Sequence, residues 1–462
     1  MSGFSAMLGN PPFLGGQKIT SECGTPFREF LVAVIAKGQT GSADLCSYFF
    51  LNVFGLMKLD GLSGMVATNT IAEGSTREVG LSQILSRGGS ISSANLNVTW
   101  SGDAAVVVHL VTLKKGQTIN PSLDGEIVES INEYLSIPGR IVGDPYKLKT
   151  NSKKAFQGTV ILGNGFTMTP QKASELIQLD TKYSEVLFPF LDGDSLNSKP
   201  QHVPSRWVVN YFNWSKEKAK TYSQTWNHIE TNVKPARQKK QPTNATAARR
   251  FEKYWIYGST AVNLYANIGH LNRVLAIVLH SNVVMPAWVP INRVYSHGCG
   301  VFAFDDDFTF GLLSSQLHWW WTQRYSSSIG HGTRYTTSDV FETFPRIEPN
   351  ETVSLIAKEL NEERAKILVK RDIGLVKLYP LVHDSEIKDK DILALRDLHS
   401  QLDQAVCDAY GWSGVELGYG FHETSMGMRW TISPDAQAEV LDRLLELNHL
   451  LFEQEVGQGL WR

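Results

Sequence analysis

The 462-residue sequence has few cysteines and no long apolar run. Its four cysteines lie far apart and form no CxxC pair, which argues against both a zinc cluster and a disulfide framework. No segment approaches the roughly 20 apolar residues that cross a bilayer, and residues 1–20 lack the charged head and apolar stretch of a signal peptide. From these absences we expect a protein of the reducing cytoplasm.

Strong net charge is also absent from the chain as a whole. The 44 Lys and Arg against 46 Asp and Glu give a net charge of -2, so any nucleic-acid surface must be local. None of the 12 histidines stands in an HExxH motif or beside a Ser–Asp pair, and we expect no metal site. The run Asp305–Asp307 is interpreted as a solvated hairpin turn rather than a metal site.

One basic segment lies between residues 216 and 253. Ten Lys and Arg stand there against three Glu, a balance of 10 − 3 = +7 in 38 residues, with tyrosines and tryptophans interleaved. Such a segment predicts phosphate contacts and salt-dependent binding. The alternative is a solvated loop over ordinary core aromatics. The residues expected to contact phosphates are Lys234, Arg237, Lys239, Lys240, Arg249 and Arg250.

The hydrophobic pattern divides the chain into three regions. Residues 1–120 alternate strand-like and helix-like runs, from a short buried strand at FSAML to AAVVVHLVTL, and predict an α/β layer with a mainly parallel sheet. Residues 150–347 have short segments, dense aromatics and many turns, which indicate a mixed β-rich domain. Residues 348–462 are predicted to be helical, with Ser433 capping a helix that begins at Pro434.

The motif NPPF directly follows the first predicted strand. The Asn10 side-chain oxygen and the Pro11 carbonyl can accept hydrogen bonds from both N6 hydrogens of adenine, whose nitrogen lone pair is otherwise delocalised into the ring. Pro11 and Pro12 fix φ, so these acceptors need little reorganisation. Phe13 can stack on a base that has swung out of the duplex. The alternative is a Pro-Pro turn with Phe13 packed in the core.

This motif and the blocks after it resemble N6-adenine DNA methyltransferases. The similarity begins with NPPFLGG and GSADLCSYFFLNVFGLMKLDGLSGMVATNTIAEGSTREVGL, and it continues through RWVVNYFNW, TRYTTSDVFETFPRIEP and LGYGFHETSMGMRWTISPDAQAEVLDRLLELNH. The closer resemblance is to enzymes that combine methylation and target recognition in one polypeptide, as in type IIL restriction–modification and related phage-defence systems. It implies a partial Rossmann-like class I methyltransferase sheet at 1–120, a target-recognition domain at 150–347 and a C-terminal helical region at 348–462.

The resemblance also implies roles for single residues. Asn10–Phe13 would form the catalytic motif, with S-adenosylmethionine as methyl donor and adenine N6 in duplex DNA as acceptor. Trp100 is a candidate second stacking residue, or else a tryptophan packed at the sheet edge. Asp44 would support the site, or only open a helix. The basic segment, Arg324 and Arg334 would bind DNA, although Arg334 could instead tie the recognition domain to the catalytic sheet.

The family's cofactor-binding half, with a Gly-rich turn and an acid for the ribose, should precede NPPF, but only three residues precede the catalytic strand. A permuted order with TVILGNGFTM as the cofactor turn is an alternative, although a lone GxG is a weak signal. We expect a split or truncated enzyme complemented by a separate polypeptide that carries this half. The other readings are a non-catalytic DNA-binding specificity component, and methylation of RNA or a protein amide.

Overall fold

The structure is a computed structural model that describes residues 3–99, 107–139, 141, 143–239, 241–242, 244–329, 332–424 and 426–461. The chain forms two compact units, Met1–Asp144 with Tyr325–Gly330, and Pro145–Arg324 with His331–Arg462. Two residues of the predicted site, Trp100 and Lys240, lie outside the described residues. In the part that is described, no helix has the length and apolar character needed to span a membrane.

The first unit consists of a six-stranded sheet with short helices. Its strands are β1 (Phe4–Gly9), β2 (Met57–Thr68), β3 (Gly89–Thr99), β4 (Val107–Lys115), β5 (Ser122–Leu123) and β6 (Glu126–Ile127). Its helices are α1 (Gly16–Cys23), α2 (Thr25–Phe30), α3 (Leu45–Leu56), α4 (Gly74–Arg77) and α5 (Gln83–Ser86). Single π-helical turns at Leu31–Ile35 and Glu78–Ser82 continue α2 and α4.

The sheet has the order β1-β2-β4-β3-β5-β6 and is mixed rather than mainly parallel. β1 runs parallel to β2, with Gly9 opposite Met65, and β3 runs parallel to β5, whereas β4 is antiparallel to both β2 and β3. The prediction of a mainly parallel sheet is therefore wrong. Only seven residues separate Thr99 from Val107, too few for the crossover that neighbouring parallel strands require.

The first strand lies at the edge of this sheet, so the prediction of a buried strand is also wrong. The side chains of Phe4 and Leu8 are 56% and 89% exposed. An apolar run cannot by itself show whether a strand is central or lies at an edge, because burial depends on its neighbours. By contrast, the helix that Asp44 was expected to open is confirmed as α3, which buries Tyr48, Phe50 and Phe54 in the core of this unit.

The second unit contains many short strands and longer helices. Its strands begin with β7 (Ala155–Gln157), β8 (Thr167–Met168), β9 (Leu187–Leu191), β10 (Arg206–Val209), β11 (Arg273–Val278), β12 (His280–Ser281), β13 (Ala287–Pro290), β14 (Val294–Tyr295) and β15 (Cys299–Phe302). After β16 (Ser327–Ile329), which belongs to the first unit, follow β17 (Gly332–Arg334), β18 (Gly420–Thr424) and β19 (Gly427–Thr431). Two four-stranded sheets have the orders β14-β9-β10-β8 and β13-β11-β15-β7.

The helices of the second unit become longer toward the C-terminus. They are α6 (Pro170–Leu179), α7 (Gly193–Ser198), α8 (Lys216–Lys220), α9 (Ser223–Asn232), α10 (Lys234–Gln238), α11 (Ala245–Glu252), α12 (Val262–Ile268), α13 (Asp307–Ser314), α14 (Gln316–Tyr325), α15 (Glu351–Arg371), α16 (Leu375–Val382), α17 (Lys390–Ala409) and α18 (Pro434–Gly457). The predicted cap is confirmed, since the Ala436 amide donates to the Ser433 hydroxyl oxygen over 3.2 Å.

The C-terminal helices pack within the second unit rather than beside it. Helix α15 packs against α13, and the Asn448 side chain of α18 accepts a hydrogen bond from the Tyr146 amide at 2.8 Å. Glu455, which is 4% exposed, accepts from the Lys149 and Thr150 amides at 2.7 and 2.9 Å. These contacts join the predicted regions 150–347 and 348–462 into one compact unit, and the first unit runs beyond residue 120 to residue 144.

The acidic run at residues 305–307 opens a helix. The Asp306 side chain accepts from the Thr309 amide at 2.7 Å and caps α13, and Asp307 pairs with Arg273 at 2.8 Å. The interpretation as a solvated hairpin turn is wrong, because the middle carboxylate satisfies an amide of the first helical turn.

Candidate active site

The NPPF motif begins where the edge strand ends. β1 stops at Gly9, opposite Met65 of β2, and residues 10–15 have no regular structure before α1 begins. Asn10 is exposed and Pro11 is buried, while Phe13 is 39% exposed and is thus not packed in the core. An amide with free access to solvent and a partly open aromatic ring stand three residues apart on a proline-stiffened segment.

Backbone contacts hold the segment after the motif. The Leu45 amide donates to the Leu14 carbonyl at 2.9 Å, and the Leu14 amide donates to Asp44 Oδ1 at 3.4 Å. A Cβ added to Gly16 would lie 2.4 Å from the Ser42 carbonyl carbon, so only glycine allows the chain to approach so closely. The loop is therefore fixed against the residues that lead into α3.

Asp44 is the residue that makes most of these connections. It is 9% exposed, and its Oδ1 also accepts from the Cys46 amide at 2.9 Å, which caps α3. Its own amide donates to the Thr76 hydroxyl at 3.1 Å. One carboxylate oxygen therefore caps α3 and also accepts from the residue that follows the motif, while a supporting role in the site stays a prediction. Thr76 and Gly16 lie inside the resembling blocks, but nothing in their residue type singled them out.

The chemistry available at this position is hydrogen-bond acceptance. Burial, followed by the charge of Asp44, raises the pKa of the Cys46 thiol well above its ordinary value, so that side chain stays protonated. The Asn10 amide oxygen and the Pro11 carbonyl, by contrast, are uncharged acceptors that can meet an amino group without a change of protonation.

The predicted DNA-contacting residues in the second unit differ in their accessibility. Lys239 and Arg249 are exposed, and Arg334 is exposed on β17 next to His280 of β12. Lys234 forms an ion pair with Glu230 at 2.6 Å, and this pairing offsets the positive charge of the lysine. The side chains of Arg250 and Arg324 are partly buried.

Arg237 faces inward. Its guanidinium donates to the carbonyls of Tyr254, Ile256 and Ile161, the last at 2.9 Å, and lies 4.8 Å from the Phe166 ring centroid. Burial, with a contribution from nearby Arg250, lowers its pKa to about 10. This arginine joins the end of α10 to two other backbone segments, so it is committed to the fold.

In the Gly163–Gly165 turn, the second glycine packs closely against the protein's own backbone. A Cβ on Gly165 would lie 2.4 Å from the Asn232 carbonyl oxygen at the end of α9, so this glycine permits a close backbone contact. Within the described residues, that turn leaves no room for a cofactor to approach the backbone at Gly165.

The first unit is similar to a domain of known DNA methyltransferases. Residues 5–122 match the family described as "MmeI, DNA-methyltransferase domain". The type IIL restriction–modification enzyme MmeI in complex with DNA has the same fold, with a TM-score of 0.72 and 19% identity over 97% of this chain. The first unit therefore carries a DNA-methyltransferase domain. The expected resemblance to type IIL restriction–modification enzymes is confirmed.

Two other solved structures align less well. The chain spans 57% of the length of that MmeI chain. The type IIG restriction endonuclease BpuSI aligns with a TM-score of 0.27 at 11% identity, over 88% of this chain and 54% of that one. The DrdV–DNA complex aligns with a TM-score of 0.38 at 10% identity, over 78% and 44%. Similarity at these TM-scores does not define a shared fold. No curated protein matches the sequence significantly.

Proposed function

We propose that the chain acts in methyl transfer from S-adenosylmethionine to adenine N6 at a specific site in duplex DNA, within a restriction–modification or phage-defence system. The observation that carries this proposal is the placement of Asn10–Phe13. In a domain of a DNA-methyltransferase family, the motif stands at the end of a strand with its amide exposed and its loop fixed by Asp44.

The four motif residues would act on the target base. The Asn10 amide oxygen and the Pro11 carbonyl accept the two N6 hydrogens and draw the nitrogen lone pair out of the ring. Pro12 keeps the chain rigid, so the acceptors are in place before charge develops. The exposed ring of Phe13 supports a base rotated out of the duplex, because N6 is otherwise buried in the stack. Asp44 would position the loop without touching the base.

A second polypeptide segment would supply most of the cofactor site. The Gly163–Gly165 turn does not fit the expected cofactor turn, since Gly165 packs against the Asn232 carbonyl. Within the described part of the sheet, β1 pairs only with β2, and its apolar residues Phe4 and Leu8 are exposed. A long apolar edge of this kind favours pairing with a further strand. The first unit would then be part of a larger Rossmann-like sheet that a cofactor-binding half completes.

Target recognition would belong to the second unit. Lys239, Arg249 and Arg334 have the exposure that phosphate or base contacts require, while Arg237 is excluded by its contacts with backbone carbonyls. Their contribution to affinity would depend on salt, because binding releases counterions from the phosphates.

The test is transfer of labelled methyl from S-adenosylmethionine to DNA, with the chain alone and with a polypeptide that carries a cofactor-binding half. We expect incorporation in the mixture that falls at least about 100-fold in Asn10→Ala, as for loss of one preorganised polar group at a reacting centre. Gln17→Ala, an exposed position in α1, is the matched control. Incorporation into RNA or protein instead of DNA would reject the assignment.

The second candidate is a DNA-binding specificity component without catalysis, favoured by the incomplete cofactor site. DNA binding without incorporation in any mixture, and with equal affinity in wild type and Asn10→Ala, would support that function instead.

A further inference from the structure

An exposed aromatic residue in the second unit stands in an unusual backbone conformation. Phe212 has φ +51°, a left-handed value that bulky side chains rarely adopt, and it is 37% exposed. Its neighbours explain the conformation: Tyr211 is buried with its hydroxyl donating to Thr225 at 2.8 Å, and the Phe212 amide donates to the buried Asn210 side chain at 2.9 Å. Because residues 210 and 211 are anchored inside the unit, the Phe212 side chain points outward.

Two other aromatic rings pack against the Phe212 ring. Phe188 of β9 meets its ring edge-to-face, with centroids 5.8 Å apart and planes at 82°, and the Trp214 ring also lies 5.8 Å away. The Trp214 backbone is fixed in turn, because the Trp255 indole donates to its carbonyl at 3.0 Å. The exposed ring therefore stands on a rigid aromatic base and would lose little conformational freedom on binding.

Positive charge borders this ring. Lys216, Lys218 and Lys220 follow in α8 with Glu217 as the one acid among them, a balance of 3 − 1 = +2. The Lys218 ammonium lies 3.7 Å from the Trp214 ring centroid, and the side chains of Lys218 and Lys220 are exposed. A rigid aromatic face with flanking lysines is complementary to a nucleobase with its adjacent phosphates.

We propose that Phe212 stacks on a nucleobase of the bound DNA while Lys218 and Lys220 contact the neighbouring phosphates. This inference rests on the proposed DNA-binding function and adds a contact that lies apart from the NPPF motif. It gives a reason for a phenylalanine at a position where glycine or asparagine would meet the backbone requirement with less strain.

The experiment compares Phe212→Leu, which keeps apolar bulk but removes the aromatic face, with Leu179→Ala, an exposed apolar control in the same unit. Binding of the full chain to a fluorescein-labelled duplex of mixed sequence is measured by anisotropy at low salt. We expect Phe212→Leu to weaken binding about 5- to 100-fold, the range of base–aromatic stacking, at an unchanged melting temperature. Leu179→Ala should bind as wild type does.

A second readout identifies the contact directly. The same duplex with single 5-iodouracil substitutions is irradiated in the complex, and crosslinked peptides are mapped by mass spectrometry. A crosslink at Phe212 supports the proposal. Equal affinities of wild type and Phe212→Leu, or crosslinks confined to other residues, overturn it while leaving the DNA-binding function intact. Absence of DNA binding by the wild-type chain would overturn both.

Discussion

The Asp44 carboxylate accepts hydrogen bonds from the Cys46 amide and from the Leu14 amide. Substitutions can separate the effect of these hydrogen bonds from the effect of the charge. Asp44→Ala removes the cap of α3 and the bond to the Leu14 amide, so we expect about 1 kcal/mol of destabilisation and a clear loss of methyl transfer. Asp44→Asn keeps an acceptor oxygen and should retain most of the stability and most of the methyl transfer.

The control is Ser433→Ala, which removes the cap of α18 and should cost similar stability without changing methyl transfer. Urea unfolding and labelled methyl incorporation measure the two effects, and equal activity losses in Asp44→Ala and Ser433→Ala would contradict a positioning role.

Arg237 and Arg249 lie in one basic segment but are expected to respond oppositely to substitution. Arg237→Ala would leave buried carbonyls without their donor, so the free energy of unfolding should fall by roughly 1–3 kcal/mol. Arg249→Ala should leave stability unchanged and reduce the slope of log affinity against log salt by about 1. Thermal melting and DNA titrations from 50 to about 200 mM salt distinguish them. The reverse pattern would mean that the inward-facing arginine is the one that contacts phosphate.

Single residues differ in how far their surroundings could be predicted from the sequence. The position of Asn10–Phe13 directly after a strand could be predicted from the apolar run before it, whereas the catalytic role of these residues stays a prediction. Arg237 could not be distinguished from Arg249, since counting charge in a segment does not show which guanidinium turns toward backbone carbonyls. Phe212 stood inside a resembling block, but its exposure follows from the anchoring of Asn210 and Tyr211.

At the scale of elements, α17 carries a buried acid whose ionisation should affect stability. Asp403 is fully buried and accepts hydrogen bonds from the Gln316 amide and the Tyr419 hydroxyl, yet burial dominates and raises its pKa from 3.8 to about 7. The folded state therefore holds the proton more tightly than the unfolded state. The stabilisation is present below pH 4 and is lost as pH rises from about 4 to about 7.

The measurable consequence is a difference between variants. Relative to Asp403→Asn, the wild type should lose stability as pH rises through that window, by at most about 1.4 kcal/mol per pH unit. Asp397→Asn, an exposed acid on the same helix, should follow the wild type. Urea unfolding at half-unit pH steps provides the curves. If wild type and Asp403→Asn run parallel from pH 4 to 7, the carboxyl does not titrate as inferred.

Elements were predicted better than their arrangement. The starts of α3 and α18 could be predicted from Asp44 and Ser433, because a capping residue acts on the helix that follows it directly in sequence. The direction of β4 and the exposure of β1 depend on which strands become neighbours, and a pattern of apolar residues carries no such information. The prediction for the acidic run at residues 305–307 was wrong for a related reason, since an aspartate suits a turn and a helix cap equally.

At the scale of the whole molecule, the exposed edge of β1 leads to a prediction about assembly. A polypeptide carrying the cofactor-binding half should pair with this strand and stabilise the first unit by mass action, about 2.7 kcal/mol at a free concentration 100 times Kd. Leu8→Lys places a charge on the 89% exposed leucine of the edge and should abolish that stabilisation. Leu179→Lys, on an exposed position of the second unit, should not change it. Thermal melting of each chain with and without the added polypeptide measures the effect. If Leu8→Lys assembles and melts as the wild type does, β1 is not the docking edge.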